Sequence, residues 1–191
     1  MPDIFFTADT HFGHKRSLTL DAGSSISSAE EIDELLIERW NERVGLSDNI
    51  YHLGDFSFRS RERTERIIDR LNGRIHLVRG NHDQTLDSIQ YRFASFQQYQ
   101  EIRVGTQLLA LFHFPILSWH HADRGAWHLH GHCHGELAED PAIPRMDVGV
   151  DCTDFAPIAY EEVAERLAGR VWTPADRQRS GVAHLAALKV S

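Results

Sequence analysis

Residues 3–11 read Asp-Ile-Phe-Phe-Thr-Ala-Asp-Thr-His, an apolar run with the length of one buried strand that halts at a D-x-H pair. The same phrase recurs along the chain. Strand-like residues 49–53 precede Gly54-Asp55, residues 75–78 precede Gly80-Asn81-His82-Asp83, residues 108–112 precede His113, and residues 127–129 precede Gly131-His132-Cys133-His134. Strand ends along one edge of a sheet converge on a common point, where ligands bind in α/β folds. In extended backbone, residues i and i+2 face the same side, so Asp9/His11 and His132/His134 can each grip one ion. Gly54, Gly80 and Gly131 stand directly before candidate ligands, where a missing Cβ permits close backbone approach. The donors are imidazole, carboxylate and amide oxygen without thiolate, a set that favours Mn²⁺, Fe or Zn²⁺ over a structural zinc of the cysteine type.

Between the strands lie helical patterns. Ser28 with Glu31 is a capping-box signature, after which Ile32, Leu35, Leu36, Trp40 and Val44 recur at helical spacing. Thr64, Ile67, Ile68 and Leu71 mark a second helix stopped at Asn72-Gly73, and residues 86–93 read as a third. Gly105-Thr106 between two apolar runs signals a hairpin, residues 146–150 read as a strand, and residues 161–167 as a last short helix. Alternating strands and helices followed mostly by strands predict an α/β sandwich with helices outside. Without a 20–50-residue repeat or a low-complexity linker, residues 1–191 read as a single domain with a motif core over 3–155 and no assignment for 171–191.

Twenty Lys plus Arg against twenty-eight Asp plus Glu give a formal charge of −8, with 41% of the chain apolar. That composition excludes collagenous, coiled-coil and disordered classes, and its acidity argues against nonspecific polyanion binding. No apolar run approaches the roughly 20 residues that span a bilayer. The start lacks the basic and apolar stretches of a signal peptide, and two cysteines, Cys133 and Cys152, are too few for a disulfide framework. A cytoplasmic protein with no membrane contact and no evident protein partner is the expectation.

The ordered blocks D-x-H, G-D, G-N-H-D, H and G-H-x-H resemble the pattern of the calcineurin-like metallophosphoesterases, and the T-A-D-T-H-F-G-H start is similar to that of the compact bacterial and phage members. The resemblance spans Asp9 to His134, about two thirds of the chain. It implies a four-layer αββα sandwich of two packed mixed sheets flanked by helices. It also implies two divalent ions, Mn²⁺ preferred with Fe, Zn²⁺, Ni or Co as alternatives. One would be held by Asp9, His11, Asp55 and His134, the other by Asp55, Asn81, His113 and His132. Such a pair activates a bridging hydroxide for in-line attack on a phosphoester. His82 matches the family's non-ligand histidine, placed to stabilise or protonate the leaving oxygen.

Arg59 matches the arginine with which some relatives clamp phosphate. Those relatives carry an acidic residue just before it to orient the catalytic histidine, and this chain has Phe58 there. Two alternatives follow: Asp83 orients His82, or His82 acts without a carboxylate partner. For Arg59 itself, a solvated arginine at a helix start is as good a reading, because Arg61, Arg63 and Arg66 follow it. His52 and His130 are candidates for supporting bonds behind the ligands, and His14 is a candidate for substrate contact, for a surface position or for the same supporting role. The expected activity is hydrolysis of phosphodiesters, a nucleotide or nucleic-acid end among them, and of phosphomonoesters too. The rivals are a strict phosphomonoesterase and a silent scaffold of the same fold, and the presence of every ligand position favours an enzyme.

Overall fold

A computed structural model describes residues 2–15, 18–19, 25–26, 28–138 and 140–170. The expectations on residues 171–191 fall outside them. Strands β1 (Ile4–Thr7), β4 (Asn49–His52), β5 (Arg74–Val78) and β6 (Ser95–Gln97) run parallel, and β11 (Ile158–Ala159) pairs antiparallel with β1, giving the order β11-β1-β4-β5-β6. A second sheet has the order β10-β9-β8-β7, from Arg145–Asp147, Trp127–His130, Gln107–Phe112 and Tyr99–Val104. Its β7–β8 pair is the hairpin foreseen at Gly105-Thr106. A small antiparallel pair, β2 (Leu18–Thr19) with β3 (Ser25–Ile26), stands apart. Among the described residues no helix is long and apolar enough to cross a membrane.

The alternation along each parallel strand decides the layers. Phe5, Ile50, Ile75 and Leu77 face helices α1 (Ala29–Arg43) and α2 (Arg61–Ile68), packing on Ile32, Leu36, Trp40, Ile67 and Ile68. Phe6, Leu53 and Val78 point the other way, into Leu109, Leu111, Leu129 and Met146 of the second sheet. A strand buried on both faces must be apolar on both, which is why residues 4–6 read as a continuous run. Helix α3 (Tyr160–Leu167) adds Val163 and Leu167 to this inter-sheet core. Over the outer face of the second sheet, Trp119, Ala122 and Ala126 pack on Leu108 and Ala110 from a loop with one 3₁₀ turn.

Most element expectations stand, α1 starting at Ser28, whose hydroxyl accepts from the Glu31 N–H at 3.1 Å and donates to its carboxylate at 2.7 Å. Two differ. Residues 83–92 form 3₁₀ turns in which Ile89 leaves the helical region (φ −124°, ψ 19°), and the strand expected over 146–150 ends at Asp147. It ends there because the Asp147 carboxylate turns back to accept from the Gly149 N–H at 2.8 Å.

Phe6 is fully buried between the sheets. Truncating it as Phe6→Ala should cost about 3–5 kcal/mol. Chemical denaturation should show a lowered midpoint at an unchanged slope.

Candidate metal centre

The loops leaving β1, β4, β5, β8 and β9 meet at one place. Asp9, His11 and His134 offer ligand atoms within 4.8 Å of one another, as do Asp55, His113 and His132. Asp55 touches both groups, its Oδ2 lying 3.7 Å from His11 Nε2 and 3.5 Å from His113 Nε2. Asn81 Oδ1 sits 2.9 Å from His113 Nε2. The His113 Nδ1–H donates to the Leu53 carbonyl at 2.8 Å, so its Nε2 lone pair faces Asn81 Oδ1 and Asp55 Oδ2 with no proton between them. Asp9 Oδ2 accepts from the His132 N–H at 2.8 Å, whereas Oδ1 is buried without a hydrogen-bond partner. Burial pushes this carboxyl up to about 8. Acceptors gathered around an uncompensated buried carboxylate are costly unless a cation joins them, and this oxygen-and-imidazole set fits divalent ions.

Convergence of this kind distorts the backbone. Asp9 (φ 57°), His11 (φ 44°), Asp55 (φ 58°), His132 (φ 71°) and His134 (φ 48°) all adopt the left-handed region, uncommon for residues with a side chain. The glycines before them make room. A Cβ on Gly80 would collide with Asp55, and one on Gly131 would stand 2.5 Å from Asp9 Oδ2. Asp83 secures the same crossing. Its buried carboxylate accepts from the N–H groups of Asp55, Phe56 and Gly80, each at 2.8 Å. This corrects the expectation that Asp83 orients His82: both oxygens are committed to backbone, and the residue ties the β4 loop to the β5 loop.

The sequence pattern of the calcineurin-like phosphoesterase family matches residues 2–137. The chain belongs to that family. It is similar to an uncharacterized protein of Methanocaldococcus jannaschii, 27% identical over 174 residues that cover 87% of this chain and 92% of that one. The gene 66 protein of Mycobacterium phage D29 is 29% identical over 198 aligned residues, covering 87% and 96% respectively. Among solved structures, a protein of unknown function from Aquifex aeolicus has the same fold, with a TM-score of 0.63, 21% identity, and coverage of 86% and 99%. Members of the calcineurin-like phosphoesterase family generally bind two divalent ions, which agrees with the two candidate sites.

Around this centre the remaining expectations part ways. Arg59 does not reach it, correcting the phosphate-clamp expectation. Its guanidinium forks onto Asp33 Oδ2 of α1 (2.9 and 2.8 Å) and pairs with Glu30 at 3.0 Å. Asp33 also accepts from the Gly13 N–H at 2.6 Å, so the ion pair anchors the loop that carries His11 to helix α1. His82 is half-exposed beside the cluster, its Nε2 4.0 Å from Asp55 Oδ2, and its ring leans on Phe58 with centroids 5.0 Å apart. His52 supports the β4 loop. Its Nδ1 accepts from the Gly54 N–H at 3.2 Å, so its Nε2–H donates to Thr10 Oγ1 at 2.9 Å, and burial holds the imidazole well below its usual pKa. His130 donates to the Gly131 carbonyl at 2.8 Å.

Sequence reasoning missed Asp151 and Asp147. Asp151 Oδ2 accepts from the His134 Nδ1–H at 2.6 Å, leaving Nε2 for an ion, while Asp147 also accepts from the Gly135 N–H at 3.2 Å. The acidic residues in Asp147-Val148-Gly149-Val150-Asp151 were the available signal, but no spacing joins them to the histidine block 15 or so residues upstream. A carboxylate behind a ligating histidine fixes its tautomer and raises its basicity; its loss typically weakens metal binding about 10–100-fold. Asp151→Asn should therefore shift Mn²⁺ titrations of the chelated protein by that factor at the site that contains His134. Exhaustive chelation should lower the melting temperature, read by calorimetry, because ligands that bind only the folded state stabilise it.

Proposed function

We propose that the protein is a single-domain, cytoplasmic phosphodiesterase that works with two divalent ions, Mn²⁺ preferred. One is held by Asp9, His11, Asp55 and His134, the other by Asp55, Asn81, His113 and His132. The observation that carries the diester reading is a pair of clefts meeting at His134. One, of ≈ 500 Å³, is lined by His11, His14, Phe58, His82, His134 and Asp151; the other, of ≈ 470 Å³, by His132, Cys133, His134, Glu136 and Leu137. A phosphorus atom between them has room for an ester arm on either side.

When bound, the two ions supply Lewis-acid charge and an activated water. The chain supplies geometry and a proton. Asp55 holds the centre of the site, kept in place by the His82 N–H on its Oδ1 (2.8 Å) and by the three bonds of Asp83. His82 stands in the first cleft, where a leaving oxygen would emerge, and donates its proton there. Asp151 and the Leu53 carbonyl keep His134 and His113 in the tautomer that presents Nε2. A formal charge of −8 disfavours the long polyanion contact that an internal duplex site needs, so small or end-positioned diesters are the substrates. The eight converging residues argue against a silent scaffold.

With the Mn²⁺-loaded protein, kcat/KM on bis-p-nitrophenyl phosphate should exceed that on the monoester. A hundredfold preference for the monoester would overturn the diesterase reading. His82→Ala should retain metal occupancy yet lose about 10²–10⁴ in kcat, the typical range for a lost general acid. That loss should be smaller for p-nitrophenol leaving groups than for alkyl alcohols; equal losses would make His82 a phosphate-orienting residue instead. Asp55→Asn should abolish activity and lower the occupancy of both sites in elemental analysis, and a variant with two ions and the parental rate would refute the bridging assignment.

A further inference from the structure

Phe58 has no role in the chemistry above, and its setting is unusual. It is 46% exposed at the wall of the first cleft, whereas its neighbours Phe12 and Phe56 are fully buried. Its ring is surrounded by imidazoles: nearly parallel to His11 (5.0 Å, 8°), and tilted against His14 (5.4 Å) and His82 (5.0 Å). The backbone beneath it is firmly held. The Phe58 N–H donates to the Phe12 carbonyl at 2.9 Å, Ser57 is buried against Thr64 with their hydroxyls 2.9 Å apart, and Arg59 is locked onto Asp33. A rigid backbone therefore presents an apolar ring to solvent beside the proton donor. A large exposed aromatic on so well-fixed a segment contributes little to the core and much to whatever enters the cleft.

The geometry points to Phe58 as the residue that selects the leaving group: we propose that it is a stacking platform for a planar aromatic ring, a nucleobase above all, carried on the arm that departs past His82. This deepens the phosphodiesterase reading and rests on it for the direction of departure. His82 and Phe58 line the same cleft, so an alcohol that takes its proton from His82 leaves along the Phe58 ring. The opposite cleft, lined by His132, Cys133, His134, Glu136 and Leu137, has no Phe, Tyr or Trp among its lining residues for the arm that stays. Base–aromatic stacking tolerates any base, because every base has a π-face. It discriminates aromatic from aliphatic arms without any hydrogen-bond readout.

Two measurements on the full-length, Mn²⁺-loaded protein test this. Calorimetric titration should show adenosine 5′-monophosphate binding about 5- to 150-fold more tightly than ribose 5-phosphate, the range expected for one stacked base. Phe58→Ala should bring that ratio near one, and Phe58→Trp should preserve it. In turnover, the methyl phosphodiester of a nucleoside 5′-hydroxyl should be cleaved with release of nucleoside and at a higher kcat/KM than the methyl phosphodiester of glycerol, whose alcohol is chemically similar. Phe58→Ala should remove this preference mainly through KM. Equal binding of the two monophosphates by the parent protein would overturn the platform whether or not any ester is hydrolysed. A Phe58→Ala variant that loses kcat equally on both diesters, with lowered metal occupancy, would overturn it too, since Phe58 would then be a prop for His11. Failure to hydrolyse any ester would instead refute the phosphodiesterase reading, while the binding ratio would still judge Phe58.

Discussion

Four loops in this protein approach one another more closely than side chains permit, and the candidate metal centre exists because they do. The β4 loop at Gly54-Asp55 lies against the β5 loop at Gly80, where a Cβ on Gly54 would sit 2.6 Å from the Gly80 backbone. The β9 loop at Gly131 lies equally close to Asp9 after β1. Hydrogen bonds lock these crossings: the His82 N–H to Asp55, the His132 N–H to Asp9, and three N–H groups to Asp83. A ligand carboxylate that accepts from the backbone of a different loop is fixed in orientation before any ion arrives. Both sheets serve this end. Parallel pairing of β1, β4 and β5 puts their C-terminal ends side by side, and β8 and β9 bring His113, His132 and His134 in from the second sheet.

Legibility in the sequence followed the range of the forces involved. Strand runs, the Ser28 cap and the Gly105-Thr106 turn are local, and each is where its neighbours in sequence place it. The candidate ligand blocks were legible because strand-end position is local as well, but the i, i+2 expectation fails for His132 and His134, which left-handed backbone sends to different groups. What else failed was long-range. Arg59 and Asp83 sit beside candidate site residues in sequence, but their charges are engaged by Asp33, 26 residues away, and by the N–H groups of residues 55 and 56. Asp151 reaches His134 across 17 residues. A charged group that must be buried takes whichever partner the fold brings near, and sequence distance does not report that partner.

The carboxylates thus divide into two rows. Asp9 and Asp55 face the centre. Asp33, Asp83, Asp147 and Asp151 stand behind, each binding backbone or imidazole N–H groups of the loops in front. This second row lets a chain with excess acid place carboxylates beside a candidate cation site without splaying the loops: every rear carboxylate holds loop donors, even though the Asp147 charge adds to the upward push on Asp9.

The left-handed conformation of Asp9, His11, Asp55, His132 and His134 has a consequence for sequence drift. Under the proposed two-ion reading, each of these positions is filtered twice, once by the donor atom it would supply and once by the backbone it must tolerate. Asn, Asp and His pass the second filter far more readily than β-branched or bulky residues. A lineage that abandons catalysis removes only the first filter. The second persists for as long as the loops keep their path, so a descendant that binds partners instead of metal should still show small polar residues at these five places. The fossil of the metal site would then be written in backbone angles, legible long after the last ligand has been replaced.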